Sequence, residues 1–170
     1  MTFDGSSTAE TASADRTTHS VDDHRITLQR VLNAPRELVF AAWTDPVQVA
    51  KWWGPHGFNS EVRQMDVAVG RMFRICMVAS DGAEYPIKGT YQEIVAPERL
   101  VYIDDWDDDS KPSQQSRVTV TFAEHGAGKT LLTLEMRFGS IAERVEAEEQ
   151  QVIPGWGECF ERLDALVSAH

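Results

Sequence analysis

Residues 154–168 read Pro-Gly-Trp-Gly-Glu-Cys-Phe-Glu-Arg-Leu-Asp-Ala-Leu-Val-Ser. Trp156, Phe160, Leu163, Leu166 and Val167 recur there at helical spacing and make one apolar stripe. Such a stripe must lie against another apolar surface, and the only large one in this sequence is a run of alternating segments just before it. The expected class is therefore α+β, a sheet with a long C-terminal helix packed on its face.

The preceding segments supply that sheet. Leu132, Leu134, Met136 and Phe138 share one face of a segment spanning 130–138, and Val118, Val120 and Phe122 alternate with threonines before a turn at Gly126 and Gly128. Leu100, Tyr102, Asp104 and Trp106 share one face of the segment before that. Upstream, Phe73, Ile75 and Met77 alternate, Asp81-Gly82 turns the chain, and 87–95 returns. Five or six strands thus follow one another as an antiparallel meander. Ser140 with Glu143 forms a capping box that starts the C-terminal helical region, and Pro154-Gly155 interrupts it.

Nearer the N-terminus, 25–32 suits a strand, Pro35 opens a short helix and Asp45-Pro46 opens another reaching about Trp52. The glycines and proline of 53–57 make a loop, and the sheet should resume near Phe58. Residues 1–23 are polar and read as a disordered tail, leaving 24–170 as one domain.

Composition narrows the function. The chain has 170 residues, 42% of them hydrophobic, enough for one core without staples. Its formal net charge of −11 disfavours nucleic acid and anionic membrane surfaces, which require a basic face. The two cysteines, Cys76 and Cys159, form no metal or disulfide pattern, and no apolar run spans a bilayer or heads a signal peptide. A cytoplasmic protein without cofactor or metal is expected. No GxSxG, HExxH or phosphate loop occurs, so no catalytic residue is assigned.

The words Ala34-Pro35-Arg36-Glu37-Leu38-Val39-Phe40, Thr44-Asp45-Pro46, Trp52-Trp53-Gly54-Pro55, Gly89-Thr90-Tyr91, Pro97-Glu98-Arg99-Leu100-Val101 and Gly155-Trp156, in this order, resemble the activator-of-heat-shock-chaperone-ATPase homologues. These are a branch of the START-like, polyketide-cyclase-like (SRPBCC) superfamily. The resemblance implies a helix-grip fold, a curved antiparallel sheet wrapped around a long C-terminal helix, with two short helices after strand one. It also implies a cavity between sheet and helix for a lipid, polyketide or other hydrophobic molecule.

Carried onto this chain, the resemblance makes Phe73, Ile75, Met77, Tyr91, Tyr102, Trp106, Leu134, Met136, Trp156 and Phe160 candidate ligand-binding residues. The same alternation occurs in any half-buried sheet, whose residues simply form core. Neighbours on a helix point about 100° apart, so one of Trp52 and Trp53 anchors the helix, and Trp53 is expected at the cavity mouth. Asp104 joins the candidates if it points inward, where desolvation would disfavour its charge. Against this, Asp104, Asp105, Asp107, Asp108 and Asp109 form an acidic run of the kind that is usually solvated loop, and an earlier strand end is favoured.

Binding of a small hydrophobic molecule is the leading expectation. A cyclase- or hydrolase-like enzyme would need polar groups converging in the same cavity, and Asp104, Tyr91, Tyr102 and Glu93 are the available ones. A chaperone-associated stress-response role follows from the family name, although the extra N-terminal domain of the eukaryotic activators has no counterpart here. A homodimer is left open.

Overall fold

The computed structural model describes residues 16–169. Its elements run β1 Thr18–Asp22, β2 Arg25–Leu32, α1 Arg36–Thr44, α2 Pro46–Trp52, β3 Asn59–Met65, β4 Met72–Val78, β5 Glu84–Val95, β6 Arg99–Trp106, β7 Ser116–Glu124, β8 Thr130–Phe138, α3 Ile141–Glu149 and α4 Val152–Ser168. The strands form one curved, unclosed antiparallel sheet of eight, in the order β1-β2-β8-β7-β6-β5-β4-β3. Long α4 buries Cys159, Phe160, Leu163 and Val167 in a single core with the inner face of the sheet. This is the helix-grip arrangement.

Period-two patterning explains the sheet. In β8 the residues Thr130, Leu132, Leu134, Met136 and Phe138 are all buried, and Ser116, Val118, Val120 and Phe122 of β7 lie buried beside them. The short helices begin where the sequence places them. Asp45 accepts a hydrogen bond from the Val47 N–H at 3.1 Å while Pro46 occupies the first turn, where no donor is needed. Ser140 accepts from the Glu143 N–H at 3.1 Å, although the Glu143 carboxylate meets the Ser140 hydroxyl rather than a backbone donor.

Two boundaries differ from the sequence reading. The stretch assigned to a tail up to residue 23 contains β1, an edge strand paired with β2 in full register from Thr18↔Gln29 to Asp22↔Arg25. Backbone hydrogen bonds hold an edge strand with little side-chain burial, so its polar composition gives no apolar signal. The rest of that tail, residues 1–15, lies outside the described residues. The helical break also falls earlier than Pro154-Gly155: Gln151, with φ +66°, ends α3 and starts α4. Pro154 then sits in the first turn of α4, where its missing N–H costs no hydrogen bond. No described helix is long and apolar enough to cross a membrane.

Candidate functional site

One end of the inner sheet face does not meet α4, and a cavity of about 830 Å³ opens there. Met77, Ile87, Asp104, Trp106, Ser116, Met136 and Phe138 form its sheet wall, from β4 to β8. Ala147 of α3, then Gln151, Val152, Trp156 and Cys159 at the start of α4, form the wall opposite. Trp53, Pro55 and Phe58, in and after the loop that ends α2, close a third side.

The candidate residues divide along the length of the strands. Trp53, Met77, Asp104, Trp106, Met136 and Trp156 border the cavity. Phe73, Ile75, Tyr91, Tyr102, Leu134 and Phe160 do not; they are at most 2% exposed and belong to the packed core. Phe73 marks the division. Its ring lies over Gly89, its partner across β4 and β5, so closely that a Cβ on Gly89 would come within 2.2 Å of it. Edge contacts with Tyr102 at 5.0 Å, Tyr91 at 5.6 Å and Trp53 at 5.9 Å lock the ring in place. Between Phe73, Ile75, Tyr91 and Tyr102 only about 10 Å³ remains, at most the room of one water.

The tandem tryptophans separate as helical geometry requires. Trp52 is fully buried and donates from Nε1 to the Ala42 carbonyl at 2.9 Å, anchoring α2 to α1. Trp53 turns to the cavity, 5.2 Å from Trp156, which in turn stacks on Trp43 at 6.0 Å. Arg162, a residue that sequence reasoning missed, fixes this wall from α4. Its guanidinium donates to the carbonyls of Gly54 at 2.8 Å and Lys51 at 3.0 Å, satisfying carbonyls at and after the end of α2. Nothing in the spacing of one arginine among the acidic residues of α4 marks such a role. The same holds for Arg30, whose buried pairing with Asp164 at 3.0 Å joins β2 to α4 across 134 residues.

At the mouth, the loop 107–115 folds over β6. Lys111 lies 4.1 Å from the centre of the Trp106 ring and 5.4 Å from that of Tyr85, and Gln114 accepts from Trp106 Nε1 at 3.1 Å. Most of the acidic run holds this loop. Asp105 accepts from the Ser113 hydroxyl at 2.6 Å and the Gln114 N–H at 2.8 Å, and Asp107 pairs with Arg74 at 2.8 Å. Burial raises the Asp105 pKa, but the hydrogen bonds from Ser113, Gln114 and Trp106 outweigh it and hold the group below its usual range.

Asp104 differs from the rest of that run. β6 continues to Trp106, so the strand does not end early, and the Asp104 side chain turns inward to the cavity. The Ser116 hydroxyl, from its register partner on β7, donates to Oδ1. No salt bridge among the described residues reaches the carboxylate. Burial pushes its pKa up to about 6, against the hydrogen bond from Ser116, and neighbouring Asp105 adds to the rise. Burial also raises the thiol of Cys159 to about 12, leaving it protonated on the opposite wall.

The other polar candidates lie elsewhere. Tyr91 and Tyr102 are core residues, and Glu93 pairs with Arg99 at 3.6 Å. No described histidine borders the cavity; exposed His56 pairs through Nε2 with Glu161 at 2.7 Å. The site is thus an aromatic and methionine-lined concavity whose charged lining residues are Asp104, Asp105, Glu158 and Lys111, and burial leaves Asp104 with a raised pKa.

A family model described as Activator of Hsp90 ATPase homolog 1-like protein matches residues 33–168. The crystal structure of a protein from Chromobacterium violaceum is 31% identical, covers 85% of this chain and 97% of its own, and superposes with a TM-score of 0.74. An NMR structure of a protein from Arthrobacter aurescens is similar in fold, with 23% identity, coverage of 89% and 91%, and a TM-score of 0.83. The crystal structure of the AHSA1 protein from Silicibacter pomeroyi shares 23% identity over 85% of this chain and 98% of its own, with a TM-score of 0.67. No curated protein matches the chain in sequence.

Proposed function

Since the chain belongs to the Activator of Hsp90 ATPase homolog 1-like family, whose model covers residues 33–168, we propose that it binds a small hydrophobic molecule in the cavity between sheet and α4. The observation that carries this reading is the cavity itself, about 830 Å³ and walled by Trp53, Met77, Trp106, Met136 and Trp156. A dry void of that size would cost on the order of 20 kcal/mol at about 24 cal/mol per Å³, more than the stability of a whole domain. A domain that keeps such a space fills it with solvent or a ligand. Wide aromatic faces and flexible methionines suit an apolar guest of variable shape.

An enzymatic reading asks for two or three converging polar groups, and of the four side chains that sequence reasoning offered only Asp104 borders the cavity. Binding requires none of them. A chaperone-associated role rests on the family name alone and is a weaker proposal.

Native mass spectrometry of the purified protein, beside a denaturing spectrum, tests the binding reading. A retained apolar compound that is lost in Trp106→Ala is the expected result. No retained compound, and no thermal shift across a panel of lipids and polycyclic aromatics, would refute it.

A further inference from the structure

Asp104 is costly where it stands. A carboxylate facing the cavity without a cationic partner has lost water, and only the Ser116 hydroxyl on Oδ1 and the backbone N–H groups of Ser116 and Asp104 offset that loss. The groups around it supply no counter-charge. On β6 its neighbours are Tyr102 and Asp105; across β7 is Ser116, with Phe138 of β8 beyond. Its partner on β5 is Gly89, which presents no side chain. Across the cavity α4 offers the Cys159 thiol and the acidic Glu158. Lys88 is opposite Asp105 in the β5–β6 register and acts on that group, and Lys111 is engaged with the rings of Trp106 and Tyr85 at the mouth.

From this arrangement we propose that the ligand is an amphiphilic cation, an aromatic or alicyclic amine whose protonated nitrogen meets Asp104 while its apolar body lies among Trp53, Trp106 and Trp156. The inference rests on the binding reading above and names its ligand class. An ammonium would complete the hydrogen bonding of the acid and supply the missing charge in a low-dielectric site. The rings of Trp53 and Trp156 favour the same sign of charge through their quadrupoles, while the Trp106 ring already carries the Lys111 ammonium. An anionic ligand would meet Asp104, Asp105 and Glu158, three acids against the single lining cation, Lys111, which is held over the rings at the mouth.

Three probes of one shape test this: 1-naphthylmethylamine, 1-naphthalenemethanol and 1-naphthoic acid, titrated against the intact protein by tryptophan fluorescence or calorimetry. At pH 8 the amine is expected to bind about tenfold tighter than the alcohol, with the acid weakest. That preference should shrink as pH falls through about 6, where Asp104 takes up a proton. In Asp104→Asn the alcohol should still bind and the amine preference should vanish. Equal binding of amine and alcohol by the wild type, or a preference that survives both low pH and Asp104→Asn, overturns the amine assignment and leaves the cavity reading standing. If none of the three binds, the amine assignment falls, and the binding reading is decided by the native mass spectrum and the wider ligand panel. The wild-type pH series needs no variant, so a poorly folding Asp104→Asn does not shield the proposal.

Discussion

Asp104 carries a measurable linkage between protonation and stability. Its folded pKa, about 6, lies above the value of about 3.8 expected in an unfolded chain, so the native state holds the extra proton in between. Stability therefore falls as pH rises through that window, and above it the ionised, unpaired acid costs up to about 3 kcal/mol. Replacing it with asparagine should raise the melting temperature by several degrees at pH 8 and leave it nearly unchanged at pH 4. A melting difference between variant and wild type that is flat across pH would contradict a half-buried acid without a counter-charge. The sequence indicated that Asp104 could share a face with Tyr102 and Trp106, yet the acidic run favoured solvated loop. That reading failed because four of the five aspartates do belong to strand-end and loop surroundings, and only a strand reaching Trp106 turns one of them inward. Gly89 offers a second test. Gly89→Ala would drive a methyl into the Phe73 ring and should destabilise by about 2–3 kcal/mol, measured by denaturant unfolding. Adding Phe73→Leu should recover part of that loss, whereas additive effects would mean the two residues do not meet.

Among the elements, boundaries set by local chemistry were legible and those set by tertiary contacts were not. Asp45-Pro46 and Ser140 mark the starts of α2 and α3 because capping and proline act within one turn. β1 escaped notice because its partner, β2, holds an otherwise polar segment through the backbone. The α3–α4 junction escaped because Gln151 adopts a left-handed conformation that nothing local to its residue type demands. That conformation stores strain beside the cavity. Gln151→Gly should relieve it and stabilise the protein by about 0.5–1 kcal/mol, since the exposed glutamine makes no capping hydrogen bond. A loss of stability on this change would show that the side chain holds the corner in some other way.

For the molecule as a unit, periodicity identified the inner face of the sheet but not where along it packing stops. Phe73, Ile75, Tyr91, Tyr102 and Leu134 share that face with Met77, Trp106 and Met136, and alternation treats them alike. What separates them is how far α4 reaches, together with the Phe73 ring over Gly89, and both are fixed by contacts distant in sequence. Half of the candidate residues therefore line the cavity and half fill the core beside it. The measurement that tests this division most directly is methyl NMR of the protein during titration with neutral 1-naphthalenemethanol. The account predicts saturable shifts at the Met77, Ile87 and Met136 methyls, with Ile75 and Leu134 nearly still. Absence of shifts at saturating probe, or largest shifts at Ile75 and Leu134, would contradict a ligand site in this cavity.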